Sequence, residues 1–369
     1  MTPRSRRRVG FRIAASLLVL VVVLAGAEAL ARTLDAPQLP RWRVVDRPGM
    51  VLAGHPTRLW GLRPGRAFQG SAEVEINDLG LRGPSVGPKR GPRVLVLGDS
   101  SWFGHGVADG DTFPAQLGAS LAGTEVINGG VPGYSTEQSL LLLDEVGWSL
   151  GPDLLVVGSL WSDNNYDGQP DRGLLARARV TTSPFAWSRA YVLLAIAVDR
   201  ARGGSGAQVV DYTRASGQGA GPRRVPVREY AENLDRIARE ATGRGVGVML
   251  VAPANRERAG ERRDGSPSWE VYFAAQAAVA DHHGLPRVDL ADVLRAAPPG
   301  DPLFVDVMHP SARGHALAAA AVASRLLAEG WPASRPIARG GPFDAAGLVD
   351  RSPVGAAGPE SLQDNLDGG

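Results

Sequence analysis

Arg93–Ser101 reads RVLVLGDSS: a short apolar run that stops at glycine and passes into Asp99, Ser100 and Ser101. The run shows no apolar/polar alternation, which is the pattern of a strand covered on both faces. Four more runs of this kind lie downstream: TEVIN at 124–128, DLLVVGS at 153–159, VGVMLVA at 246–252 and RVDL at 287–290. Helix-period segments fall between and after them, near 111–122, 135–149, 229–244, 269–284 and 313–329. Regular alternation of buried strands with helices implies right-handed crossovers and a parallel sheet. The fold class is therefore α/β, a three-layer α/β/α sandwich around a central five-stranded parallel sheet. Ligands in such sheets bind beyond the carboxyl ends of the strands, so chemistry is expected in the loops that follow these runs.

Ser100 stands where the first strand turns toward a helix, a position that presents a hydroxyl at the sheet edge and aims the following amides at a developing oxyanion. Gly-Asp-Ser by itself is ordinary turn chemistry. The second constellation is Asp306-Val307-Met308-His309-Pro310, ahead of the last helical segment. On a turn of helix-like geometry, residues three apart face the same way, so the Asp306 carboxylate can reach the His309 ring. There it would fix the tautomer and stabilise the imidazolium formed when His309 takes the proton of Ser100.

These residues carry a family resemblance. VLVLGDSSWFGHGV at Val94–Val107 resembles the first block of the SGNH (GDSL) hydrolase superfamily, and Asp306–Pro310 resembles its last. VINGGVPGYST at Val126–Thr136 is similar to the second block and PDLLVVGSLWSDN at Pro152–Asn164 to the third. INDLGLRG at Ile76–Gly83 is similar to a segment that often precedes the first block in membrane-anchored bacterial members. The resemblance spans about residues 76–330 and implies a flavodoxin-like sheet and a serine esterase. It assigns Ser100 as nucleophile, Asp306 and His309 as its partners, and the amides of Ser100 and Gly133 as oxyanion donors. The family's donor asparagine aligns with Ser162, so the side-chain amide is missing. Its loss typically costs about 3–4 kcal/mol of transition-state stabilisation unless a substitute reaches the same point. The Ser162 hydroxyl, directly or through water, or Asn164 or Asn165 after a register shift, are the candidates.

The 369-residue chain has room for one catalytic domain plus appendages. A net charge of +2 gives no reason to expect a nucleic-acid partner, and the absence of cysteine excludes disulfides, thiolate catalysis and cysteine-ligated zinc. Behind Arg4, Arg6, Arg7, Arg8 and Arg12 comes an apolar run from Ile13 to Ala27, extending to Ala31 if Glu28 is tolerated. Its length approaches the ~20 residues that cross a bilayer. Basic residues before it place the N-terminus in the cytoplasm and the rest outside, at the cell membrane. A cleaved signal, giving a secreted protein, has the same pattern, with small-x-small sites at Ala27–Ala29 and Ala29–Ala31.

The expected organisation is a basic stub and signal anchor over 1–34, an extracytoplasmic linker over 35–75, the hydrolase domain over 76–331 and a disordered tail over 332–369. An insertion at 164–228 interrupts the domain. It contains SPFAWSRAYVLLAIAV at Ser183–Val198, read as a helix that is a lid, a bilayer-surface contact or a part packed on the domain, and a mobile loop over Gly203–Arg224.

No metal or cofactor is expected. Asp163–Gly168 matches half of a calcium loop but has Leu174 where a glutamate is needed. His282-His283 reads as a solvent-facing helix end, and His105 as a loop residue or a pocket lining. No glycine-rich phosphate loop follows a strand. Three functions use these residues: hydrolysis of a carboxylic ester, whether a small ester, an acetylated glycan or a lipid-type ester; acyl transfer to or from an envelope polysaccharide; and glycan binding without catalysis.

Overall fold

The computed structural model describes residues 3–33, 51–69, 72–165, 170–185, 187–201, 222–256, 258–259 and 269–348. The 203–224 loop expectation therefore falls, apart from residues 222–224, outside the described residues, as do residues 34–50 of the linker and 349–369 of the tail.

The N-terminal segment is one helix, α1 (Pro3–Thr33). Within it, Gly10–Thr33 is long and apolar enough to cross a membrane, and none of that stretch's most apolar window is buried in the protein. Two hairpins follow, β1 (Leu52–His55) with β2 (Leu59–Leu62) and β3 (Gly65–Gln69) with β4 (Ala72–Ile76), each antiparallel. The central sheet is then laid down by β5 (Arg93–Gly98), β6 (Glu125–Gly130), β7 (Leu154–Val157), β8 (Gly247–Ala252) and β9 (Arg287–Asp289). Its order is β6-β5-β7-β8-β9, every pairing parallel. This is the 2-1-3-4-5 order of flavodoxin-like sheets, whose ligand crevice opens where the strand order reverses beside the first strand.

All residues of β5, β7 and β8 are buried, which accounts for their unbroken apolar reading. Alternate side chains serve opposite layers. Val94, Val96, Val156 and Met249 pack under the short α2 (Ser100–Phe103), α3 (Phe113–Ser120), α10 (Leu290–Arg295) and α11 (Ala312–Ala328). Leu95, Leu97, Leu155 and Leu250 pack under α4 (Thr136–Glu145), α8 (Val227–Gly243) and α9 (Glu270–His283). Between β7 and α8 the chain inserts α5 (Trp161–Asn164), α6 (Asp171–Thr182) and α7 (Arg189–Ala201). The helix expected over 183–198 thus begins later, because Ser183-Pro184 and the following turn occupy its first residues.

Three sequence expectations change. The linker over 35–75 is not a spacer in its described part: Val51, Trp60, Leu62 and Val74 are buried, and Trp60 Nε1–H donates to the Pro132 carbonyl at 3.0 Å. Strands of four or five residues broken by Gly and Arg carry too little periodicity to announce themselves; their burial is a long-range event. The tail over 332–369 also holds to the domain through residue 348. Pro336 accepts from the Val248 amide at 2.8 Å, and Arg339 donates to the His283 carbonyl at 2.8 Å. His283, expected at a solvent-facing helix end, is fully buried with Nε2 at 2.8 Å from Asp235.

Candidate active site

β5 ends at Gly98, and Asp99 caps the single-turn helix that opens with Ser100 by accepting the Ser101 amide at 3.0 Å. Carbonyls at the far end of this turn are held by the guanidinium of Arg82, which donates to Phe103 at 3.0 Å, Gly104 at 2.6 Å and Val107 at 2.7 Å. Asn128 at the end of β6 adds a bond to the Phe103 carbonyl at 3.1 Å. From within, Trp102 lies across the strand ends, its Nε1–H bonded to the Gly158 carbonyl at 2.7 Å and its ring edge-on to Phe113. Glycine is required at both strand ends beneath that ring. A Cβ on Gly98 would stand 2.1 Å from the indole, and one on Gly158 only 1.9 Å.

The segment before α11 returns to the same edge. A bend from Phe304 to Pro310 is closed by a bridge between those residues and by a bond from the Val305 amide to the His309 carbonyl at 2.9 Å. Asp306 turns inside this bend, one carboxylate oxygen accepting the Met308 and His309 amides, each at 2.7 Å. Its other oxygen meets His309 Nδ1 at 2.6 Å, and His309 Nε2 meets Ser100 Oγ at 2.8 Å. The turn is an aspartate-closed bend rather than the helix-like one expected, yet it delivers the same pairing. Partial burial opposes charge on Asp306, but bonds from the His309 ring and the two amides outweigh it and hold the carboxyl well below its ordinary range. A carboxylate on Nδ1 fixes that nitrogen as the N–H donor and leaves Nε2 to accept from the Ser100 hydroxyl.

Gly133 lies in the loop after β6, with a φ of +78° that favours glycine. Arg224 holds this loop: its Nη1 donates to the Gly133 carbonyl at 2.8 Å while Nε and Nη2 make a two-point pair with the buried carboxylate of Asp171. Among the described residues, neither the Ser100 nor the Gly133 amide donates to a protein acceptor. Ser162 is buried at the start of α5. Its amide and that of Trp161 approach Asp99, whose carboxyl is pushed up to about 6, by burial first, against the opposing pull of those amides and of His309. The third block's polar position is thus beside the nucleophile's turn. Asn164, an alternative donor, is buried with its side-chain oxygen accepting from Arg223.

Sequence reading assigned no role to Arg82, Asn128 or Arg224, and left His105 undecided. The His105 ring stacks on His309 with centroids 4.3 Å apart, and its Nδ1 accepts from Gln69 Nε2 at 2.7 Å. Burial, then the neighbouring His309, pushes His105 down to about 4. His105, Asp306 and His309 offer ligand atoms within 4.8 Å of one another. Stacked rings direct their lone pairs side by side rather than toward one point, and His309 is engaged on both nitrogens, so the arrangement serves proton transfer better than a cation. Asp163, the first residue of the half calcium loop, is buried with one oxygen taking both the amide and hydroxyl of Thr136.

No protein-family model matches the chain, and no curated protein matches it. Among solved structures it is similar to a G-D-S-L family lipolytic protein from Desulfitobacterium hafniense, at 15% identity and TM-score 0.41 over 63% of this chain and 99% of that one. It is similar to the lipase/acylhydrolase from Enterococcus faecalis, at 19% identity and TM-score 0.42 over 64% and 96%. An acetylxylan esterase from Geobacillus stearothermophilus matches at 18% identity and TM-score 0.41 over 66% and 96%. The central sheet with its flanking helices, together with the hydrogen-bonded line from Ser100 through His309 to Asp306, stands independently of these likenesses.

Proposed function

We propose that this protein is a serine esterase of the SGNH type, held at the membrane by α1 with its catalytic domain outside the cytoplasm. The observation that carries the reading is the unbroken line Ser100 Oγ, His309 Nε2, His309 Nδ1, Asp306 Oδ2, with contacts of 2.8 and 2.6 Å. In the first half-reaction Ser100 Oγ attacks the ester carbonyl carbon as its proton passes to His309 Nε2, and the negative charge collects on the carbonyl oxygen. The unengaged amides of Ser100 and Gly133 are the donors for that oxygen, with Ser162 contributing from the third block. Collapse breaks the carbon–alkoxide bond, and the proton on Nε2 leaves with the alcohol. Water then gives a proton to Nε2 and its oxygen to the acyl carbon; collapse breaks the acyl–Oγ bond, and the proton on Nε2 passes to Ser100 Oγ as the acid leaves. Every step is carried by the chain's own groups.

Acetylated glycans and other small acyl esters are the substrate class, in keeping with the acetylxylan esterase among the similar structures. The arginine cluster at the start of α1, ahead of its apolar run, supports an external catalytic domain. The test is a panel of acetylated oligosaccharides and p-nitrophenyl esters, with released acid and transferred acyl group measured in parallel. Free acid formed by the wild type and not by Ser100→Ala supports the reading. Acyl-sugar formed faster than free acid would make it a transferase, and no turnover on any ester would leave the fold without the proposed activity.

A further inference from the structure

The remaining tryptophans that the structure places are buried or half-buried, Trp60 and Trp102 at 2% exposure among them, but Trp187 is 71% exposed. Phe185 is 60% exposed and Leu194, one face of α7, 64%. These residues stand next to α1, because Glu28 of α1 reaches out to the start of α7. Its carboxylate accepts from the Ser188 hydroxyl at 2.8 Å and from the Ala190 and Arg189 amides at 3.1 and 3.2 Å. A carboxylate at a helix N-terminus satisfies donors that the helix cannot satisfy itself. Here it comes from a residue about 160 positions away, so it joins two helices that the sequence keeps far apart. Ala31, one turn further along α1, is buried at this junction.

The level of the junction follows from helix geometry. At 1.5 Å per residue, Glu28 lies roughly 27 Å along the axis from Gly10, where the candidate span begins. The hydrocarbon core of a bilayer is about 30 Å thick, so the start of α7 is held at its outer boundary. Aromatic rings concentrate at that depth, and amphipathic helices lie there with their apolar face about 5–10 Å into the headgroup boundary.

We propose that the segment from Phe185 through α7 lies in the outer interface of the bilayer that α1 spans, with Phe185, Trp187 and Leu194 facing lipid and Glu28 tying the two helices together. The inference rests on the reading of α1 as a membrane span. It fixes the catalytic domain close against the membrane surface by two contacts, α1 and α7.

Because the chain has no cysteine, single labels can be placed at will. The full chain is reconstituted at one copy per phospholipid nanodisc and carries an environment-sensitive dye at Leu20→Cys, Trp187→Cys, Leu194→Cys or the exposed domain position Ser120→Cys. Lipids brominated near the headgroup or deep in the acyl chain serve as quenchers. The expected result is deep quenching at position 20, shallow quenching of roughly half or more of the emission at 187 and 194, and none at 120. Glu28→Ala should weaken quenching at 187 and 194 without changing position 20. If position 20 is quenched while 187 and 194 behave like 120, the interfacial helix is wrong and the anchor stands. Absence of quenching at position 20 refutes the span and this inference with it. Shallow quenching that appears only with several copies per disc would make a second chain the occupant of this face and overturn the assignment to lipid.

Discussion

Replacing Gly158 with alanine puts a methyl carbon about 1.9 Å from the Trp102 ring, where carbon atoms in contact sit about 3.5–4.0 Å apart. The ring must therefore retreat by roughly 2 Å, and little room exists. Gly98 underlies its other edge, Phe113 meets it edge-on with centroids 4.9 Å apart, and its Nε1–H is bonded to the Gly158 carbonyl itself at 2.7 Å. Overpacking of this kind costs about 1–3 kcal/mol, and loss of the indole bond adds about 0.5–1.5 kcal/mol. A domain of this size shifts about 2–4 °C in Tm for each kcal/mol, so a fall of about 3–18 °C is expected. Activity should fall further than stability demands, because Trp102 and Ser100 share one helical turn and a displacement of about 1 Å at a reacting group costs on the order of a hundredfold in rate. Thermal unfolding and p-nitrophenyl acetate hydrolysis, both on the full chain in detergent, measure the two effects. A double-mutant cycle with Trp102→Leu isolates the clash: once the ring is gone, Gly158→Ala should cost little, giving a coupling of about 2 kcal/mol. A Gly158→Ala protein with wild-type Tm and turnover would refute the idea that this ring positions the nucleophile.

Four further outcomes are expected. Ser162→Ala should lower kcat with little change in KM if its hydroxyl helps the oxyanion; an unchanged kcat excludes it. Arg224→Leu leaves the buried Asp171 carboxylate unpaired, which costs about 3–5 kcal/mol, and frees the Gly133 loop; a denaturation midpoint like that of the wild type would contradict this. Asp163 is pushed up to about 8, by burial first, from an ordinary 3.8. The folded chain thus keeps a proton that the unfolded chain gives up, so the contribution is full below about pH 4 and is lost as pH rises through about 8. Asp163→Asn, which keeps an oxygen for Thr136, should lose less Tm than the wild type between pH 5 and 8.5, and parallel profiles would sink the assignment. Asp306→Asn should cut kcat by about 10⁴-fold by releasing the His309 tautomer, with near-normal folding by circular dichroism; activity within tenfold of wild type would remove Asp306 from the line.

The sheet was legible because its strands are buried on both faces and say so residue by residue: the apolar runs at 93–97, 124–128, 153–159, 246–252 and 287–290 match β5 to β9 to within two residues. Ser100, Asp306 and His309 could be named because each sits at a strand end or directly ahead of a helix, where topology alone brings them to one edge. Arg82 and Arg224 could not. An arginine that holds three carbonyls, or one that pairs with Asp171 and holds the Gly133 loop, reads in sequence as one basic residue among 40 Lys and Arg. The hairpins over 51–76 and the tail to residue 348 escaped for a similar reason, since Trp60 and Pro336 are placed by partners about 70–90 residues away and leave no local period. Glu28 read as a flaw in an apolar helix until its bonds to α7 showed what it holds.

The central claim is that His309 makes the Ser100 hydroxyl a nucleophile, and covalent trapping tests it most directly. Wild-type protein treated with a fluorophosphonate and digested should yield one adduct, on the peptide that carries Ser100, formed far more slowly in His309→Gln and not at all in Ser100→Ala. An unmodified Ser100 peptide in the wild type, or an adduct that forms equally fast without His309, would contradict the account.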